Sequence, residues 1–288
     1  MDLAIFILIE IIYAIAGLVL ISLGLAVVFG MMRVINLAHG EFLMLGGYAA
    51  IVSVQAGLNI WLAMLIVAPL SVGLIGLLVE RLVIRFLYGR MLDTMLATWG
   101  LSLFFIGLVT LIFGNTTTGI STPIPALEIG QYQVVGYNLF IIVVAAAMLV
   151  GIYALLRFTD WGLIARAVMQ NADMADALGV NPSLIYMLTF TFGAALTGLA
   201  GGVLAPLTGI VPSIGATYIA KAFITVISGG AAVATGTVSA ALSFGIVERI
   251  TTLLSSPVLG EVALLIGAVI LLRFLPRGIT GRFFRGRL

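Results

Sequence analysis

From Leu3 to Phe29 the chain carries one charged side chain, Glu10, in a run long enough to cross a bilayer as a single helix. Similar apolar runs recur down to the C-terminus. At about 20 residues per helical span, the length allows about seven to ten crossings in one integrated bundle. Composition agrees: 62% of the 288 residues are hydrophobic and 8% charged. A soluble domain is roughly half apolar and about a quarter charged. The expected fold class is therefore an all-α polytopic membrane protein with about eight transmembrane helices, in the range of about seven to nine, including broken or re-entrant segments. The 34 glycines suit helices that pack closely in a membrane. With no cysteine, disulfides, thiolate metal sites and thiol catalysis are excluded. The basic residues are nearly all Arg at loop ends, which carries an orientation signal and gives no reason to expect nucleic-acid binding. The first run is too long for a signal-peptide core and lacks a basic lead-in, so it reads as a span.

Further spans are expected over about 42–56, 61–79, 94–113, 137–156, 184–204 and 262–275, with Pro69 as a kink in the third. The stretch 80–93 holds Arg81, Arg85 and Arg90 and is placed in the cytoplasm. The stretch 114–136 has no Lys or Arg and reads as an external loop with a short hairpin around Gly130. Residues 206–218 are expected as a second external loop, broken by Pro206 and Pro212. The stretch 221–256 is interrupted at Ser228–Gly230 and Thr235–Thr237, and is either two crossings or a re-entrant pair. Arg273, Arg277, Arg282, Arg285 and Arg287 place the C-terminus in the cytoplasm.

Two segments are out of character for such a chain. Arg33–Tyr48 puts Arg33, Asn36, the only histidine His39 and Glu41 within nine residues, between long apolar runs. Such polarity must face protein or water. One reading is a discontinuous helix lining a solute path, with Gly40 as the point of backbone change. The other is a turn between two spans, with Arg33 as an anchor and Glu41 in a helix's first turn. On the residues alone both stand. Ser228–Thr237, with Gly229 and Gly230, is a second glycine-bearing interruption, and paired interruptions point to a translocation site between structural repeats. The second unusual segment is about 163–179, which reads as one short cytoplasmic helix. Ile164, Ala167, Val168, Ala175 and Leu178 lie near one stripe, Gly179 stands at C′ and Pro182 follows. A partner groove or the membrane surface would cover that stripe, and Asp173 and Asp176, offsetting Arg166, disfavour lipid.

Met32–Tyr48 resembles the signature of LivH-type permease subunits of bacterial ABC importers for branched-chain amino acids. The Arg166–Asn181 loop, the run Phe190–Gly202 and the closing Pro276-Arg277-Gly278 resemble the same family, so the likeness covers the chain. A departure lies at Ser228–Thr237, where the family's longer glycine-rich pattern is altered, although Gly229, Gly230 and Gly236 remain and Glu248 fits the acidic position that follows. The resemblance implies a single transmembrane permease domain over residues 1–288 in the bacterial inner membrane, with the ABC importer permease fold. It implies a solute path at Asn36, His39, Gly40, Glu41, Gly229 and Gly230. It implies ATPase coupling through Arg166, Gln170, Asp173, Asp176, Leu178 and Gly179. Implied partners are a second related permease subunit, two ABC ATPase subunits, a periplasmic substrate-binding protein and membrane lipid, with no nucleic acid. No cofactor is expected in this chain; ATP and Mg belong to the ATPase subunits. The chain has no GxxxxGK[ST], and its one lysine, Lys221, follows no glycine loop.

Related subunits handle urea, short amides and other small carboxylates, which keeps those solutes in view. A secondary transporter would need an acidic pair at depth, and only Glu10, Glu41 and Glu248 are candidates. A channel would need polar rings or a carbonyl filter, for which Gly229-Gly230 is a thin basis. One histidine and no clustered acids argue against a membrane enzyme.

Overall fold

A computed structural model describes residues 2–230 and 232–283. Ala231 in the second interruption, and Arg285 and Arg287 of the basic tail, lie outside the described residues. The first apolar run forms α1, Asp2–Met32. After an unwound stretch come α2, His39–Gln55, and a composite helix made of α3, Ile60–Leu62, a π turn at Ala63–Val67 and α4, Ala68–Leu82. The expected kink at Pro69 is taken up by that π turn: proline has no N–H for the carbonyl four residues back, and the widened turn makes room for its ring. A 3₁₀ turn at Ile84–Leu87 leads to α5, Met91–Phe113.

The hairpin anticipated around Gly130 is present. Its strands are β1, Leu127–Ile129, and β2, Tyr132–Val134, antiparallel with Leu127 opposite Val134, and Gly130 has φ 61°. Next come α6, Gly136–Phe158, and two short helices, α7, Asp160–Gln170, and α8, Ala172–Ala177. The remaining helices are α9, Pro182–Thr208; α10, Ile214–Gly229; α11, Val233–Leu254; α12, Pro257–Phe274; and α13, Gly278–Phe283. Seven helical stretches among the described residues are long and apolar enough to cross a membrane. One shorter apolar helix joins them, α10 with 16 residues. This is a multi-pass membrane protein.

Three expectations change. The segment 163–179 is two helices, because Asn171 leaves the helical conformation and caps α8, its Oδ1 accepting from Met174 N at 3.0 Å. The break rotates α8, so Ala165, Val168 and Ala175 form the buried side while Ala167 and Leu178 are exposed. Pro206 does not end its helix. It sits in the last turn of α9, which runs to Thr208 and stops at Gly209 with φ 61°. Pro212 does lie in the loop that follows.

The chain divides into two compact units. One comprises Gly24–Ile120 and Val150–Ile219. Its centre is α9, 67% of whose apolar window is buried, against 17–39% for the other six long helices. Small residues explain this. Gly73 and Gly76 of α4 face Ala195 and Ala194 of α9, while Gly198 and Gly202 of α9 face Val72 and Ala68 of α4. A β-carbon at these glycines would push the helices apart. Phe42 fills the space beside the seam, its ring 5.9 Å from Phe105 and 6.0 Å from Phe190.

The other unit comprises the residues through Leu23, Ser121–Leu149 and the chain from Ala220 onward. It is tied by charge. Glu10 of α1 pairs with Arg249 of α11 and accepts from Asn138 Nδ2 of α6 at 3.3 Å. Lys221 of α10 reaches Glu248 of α11 at 2.9 Å and Glu261 of α12 at 2.8 Å. The α11–α12 turn is closed by Ser256, which accepts from Leu259 N, with Pro257 at the first helical position.

Candidate functional site in the broken helix

The polar signature starts where α1 stops. Arg33 has φ 52°, the left-handed conformation that costs a non-glycine residue on the order of 1 kcal/mol, and its N–H still bonds the Phe29 carbonyl at 3.0 Å. From there to Ala38 the backbone is not helical, yet Val34, Asn36 and Ala38 are buried. Unwound backbone inside a membrane protein needs internal partners, and two side chains supply them. Thr98 of α5 accepts from Leu37 N at 3.1 Å while its own hydroxyl donates to the Thr94 carbonyl at 2.8 Å. Asn36 Oδ1 accepts from Ala38 N at 3.0 Å, an Asx turn that sets the direction of α2. The Asn36 oxygen is thus spent on the chain itself.

His39 opens α2, only 3% exposed, with Nδ1 3.3 Å from Thr197 Oγ1 of α9. The Thr197 hydroxyl also lies 2.8 Å from the Gly193 carbonyl. Gly40 is required by a close approach: a β-carbon there would overlap the Gly215 carbonyl in the first turn of α10. Glu41 follows, 2% exposed, with Ser102 beside it. One of its oxygens, Oε2, has no hydrogen-bond partner among the described residues. Gly46 abuts Gly198, and Gly47 abuts Ile210. Asn36, His39 and Thr197 converge with Val28, Phe42 and Phe190 on a cleft too narrow to admit water in this conformation.

The second interruption is built differently. Helix α10 ends at Gly229, Gly230 has φ 88°, and α11 starts at Val233. Gly229 and Gly236 touch backbone to backbone. Thr280 of α13 closes the gap, donating to the Gly229 carbonyl at 2.6 Å and accepting from Ala232 N at 3.4 Å. Asn36, His39, Gly40 and Glu41 thus form one cluster within one unit. Gly229 and Gly230 form another within the other unit, packed against the C-terminal segment. Thr98, Thr197, Gly215 and Thr280 were not anticipated, because each acts on a residue far away in sequence.

The coupling candidates lie on α7, α8 and the turn beyond. Gln170, Asp173, Asp176 and Leu178 are exposed, Leu178 at 79%. Arg166 turns back on its own helix, Nε to the Gly162 carbonyl at 3.1 Å. Gly179 has φ 87°, and its N–H closes α8 on the Asp176 carbonyl at 2.9 Å. Asn181 then caps α9, accepting from Leu184 N at 3.3 Å. Among the described residues no group of three or more His, Cys, Asp or Glu could hold a metal ion.

A protein-family model described as branched-chain amino acid transport system / permease component matches residues 7–274. The chain belongs to this permease family. It is similar to the high-affinity branched-chain amino acid transport system permease protein LivH of Escherichia coli K12, 29% identical over 286 residues and 91% of each chain. It is similar to the corresponding protein BraD of Pseudomonas aeruginosa, 28% identical over 279 residues and again 91% of each chain. A more distant likeness is the fructose import permease protein FruF of Bifidobacterium longum, 28% identical over 180 residues, 58% of this chain and 46% of that one. No solved structure matches. As a permease component the chain is a non-catalytic part of an ABC transporter, a family membership that implies ATPase and binding-protein partners.

Proposed function

We propose that this permease carries branched-chain, hydrophobic amino acids across the bacterial inner membrane, along a path lined by the broken helix at Asn36–Glu41. A periplasmic binding protein delivers the solute. A second, related permease subunit completes the path, and the exposed side chains of α7 and α8 dock on one of two ABC ATPase subunits. The C-terminus and the α7–α8 segment are cytoplasmic, as the arginine distribution suggests.

One observation carries this reading. The segment α7–α8 continues through Gly179–Asn181 into α9, and α9 carries the Thr197 that bonds His39 and the glycines that seat α2. A push on α8 therefore reaches the polar cluster through one continuous helix. The apolar walls, Val28, Phe42 and Phe190, suit a hydrophobic side chain, and the few polar groups suit a path that releases its solute. Affinity belongs to the binding protein.

The test uses the transporter reconstituted in liposomes with its ATPases and binding protein. His39→Ala should lower leucine uptake at least about tenfold, the size of one lost charge-assisted or buried hydrogen bond, with subunit assembly unchanged. Wild-type uptake by that variant would return His39 to a purely architectural role. Competition by leucine, isoleucine and valine, with no competition by urea or acetamide, is expected; the opposite pattern would reject the amino-acid assignment.

A further inference from the structure

A polar cluster that the solute path does not use sits at the foot of α4 and α9. Glu80, in the last turn of α4, is 1% exposed although it is a carboxylate. Its Oε1 accepts from the Tyr88 hydroxyl, and its Oε2 has no hydrogen-bond partner among the described residues. A buried carboxylate held by one donor depends on that donor. Burial, then the Glu80 carboxylate, push the Tyr88 phenol up, so it stays protonated as that donor at any physiological pH.

Tyr88 does not stop at Glu80. Its ring meets Tyr186, in the first turns of α9, edge to face with centroids 5.0 Å apart. Next to Tyr186, Met187 Sδ receives Arg81 Nε at 3.4 Å. On the other side, Thr94 Oγ1 of α5 lies within hydrogen-bond distance of two carbonyls, Arg90 at 2.8 Å and Leu87 at 3.1 Å. The turn Val83–Arg90 is thus fastened to α4, α5 and α9 at once. Helix α8 packs on the same foot of α9, where Asp173 lies within electrostatic reach of the Tyr186 hydroxyl. Above this point the α4–α9 seam is glycine on alanine and valine, close packing made of non-directional contacts.

We infer that Glu80, Tyr88 and Tyr186 form a joint that fixes the register of α4 against α9, so that displacement of α7–α8 by an ATPase moves α4 and α9 together instead of sliding one along the other. These are positioning residues. The inference rests on the proposed coupling role of α7–α8.

The test is the ratio of leucine taken up to ATP hydrolysed, in the same reconstituted complex. Tyr88→Phe keeps the ring on Tyr186 and removes the hydrogen bond; the ratio should fall about tenfold, as for one lost bond to a charged acceptor. Glu80→Gln keeps an acceptor oxygen and should stay within about twofold of wild type. The double variant Glu80→Leu with Tyr88→Phe removes both polar groups, so it should assemble normally even where a single variant does not, and its ratio should remain low. A wild-type ratio in Tyr88→Phe, or its recovery in the double variant, would overturn the joint. Charge reversal at Asp173 and Asp176 separates the two ideas. If it leaves solute-stimulated ATPase intact, the coupling role fails and the joint with it. If it abolishes stimulation while Tyr88→Phe is normal, only the joint fails.

Discussion

Helices α2, α4 and α9 meet through glycine, whereas α1, α6, α10, α11 and α12 are tied by ion pairs as well as by glycine contacts. In the first region the backbones come so close that Gly40, Gly46 and Gly201 have no room for a β-carbon beside Gly215, Gly198 and Leu43. Each helical glycine costs roughly 0.5–1 kcal/mol of conformational entropy against alanine, and the return is dispersion spread over a smooth surface. In the second region the contacts are directional: Glu10 with Arg249 and Asn138, Lys221 with Glu248 and Glu261. Charges among apolar helices are costly to desolvate, so they hold one arrangement and penalise every other. The glycine contacts set how close the helices come; the ion pairs set which side chains must meet.

The largest expected effect breaks the smooth seam. Gly201→Val would drive a β-branched side chain into the Leu43 carbonyl. Overpacking costs about 1–3 kcal/mol even where the overlap is with side chains. Here it is with backbone, and we expect no assembled complex in size-exclusion chromatography from detergent. Recovery of normal complex would mean the seam is looser than the close contacts imply.

The second prediction breaks the charged region. Arg249→Met leaves the Glu10 carboxylate, only 5% exposed, with Asn138 alone. Loss of one partner of a buried pair costs about 3–5 kcal/mol, and replacing both members with apolar groups is often nearly neutral. The single variant should lower the thermal midpoint of the detergent-solubilised subunit sharply, and Glu10→Leu with Arg249→Met should restore most of it. A single variant as stable as wild type would show that this pair fixes nothing.

The two regions were not equally legible in the sequence. The spans were, because runs such as Leu3–Phe29 leave no other fold, and so were the break at Arg33 and the turn at Gly130. The glycine seam was half legible: the spacing of Gly198 and Gly202 announces a close face but not that Val72 and Ala68 meet it. The charged network was not. Glu10 and Arg249 are 239 residues apart, and nothing local marks them as partners. The supports of the broken helix were hidden for the same reason, Leu37 with Thr98 across 61 residues and His39 with Thr197 across 158. Asn171 misled differently. It stands among Ala, Met and Leu, whose propensity favours unbroken helix, and its capping bond won locally.

The smallest effect sharpens the difference inside the charged region. Lys221 has two carboxylate partners, and they are not equivalent: the Glu248 side chain is 17% exposed and that of Glu261 is 49%. Glu261 is the less enclosed of the two, so its pair with Lys221 should contribute less than the pair with Glu248. Glu261→Gln leaves Lys221 its more buried partner and should move the thermal midpoint by no more than a degree or two for a chain of this size. Glu248→Gln leaves Lys221 dependent on the half-exposed Glu261 and should cost more. Equal losses from the two variants would show that both carboxylates are dry, and that the half-exposed face of Glu261 is covered in the assembled transporter.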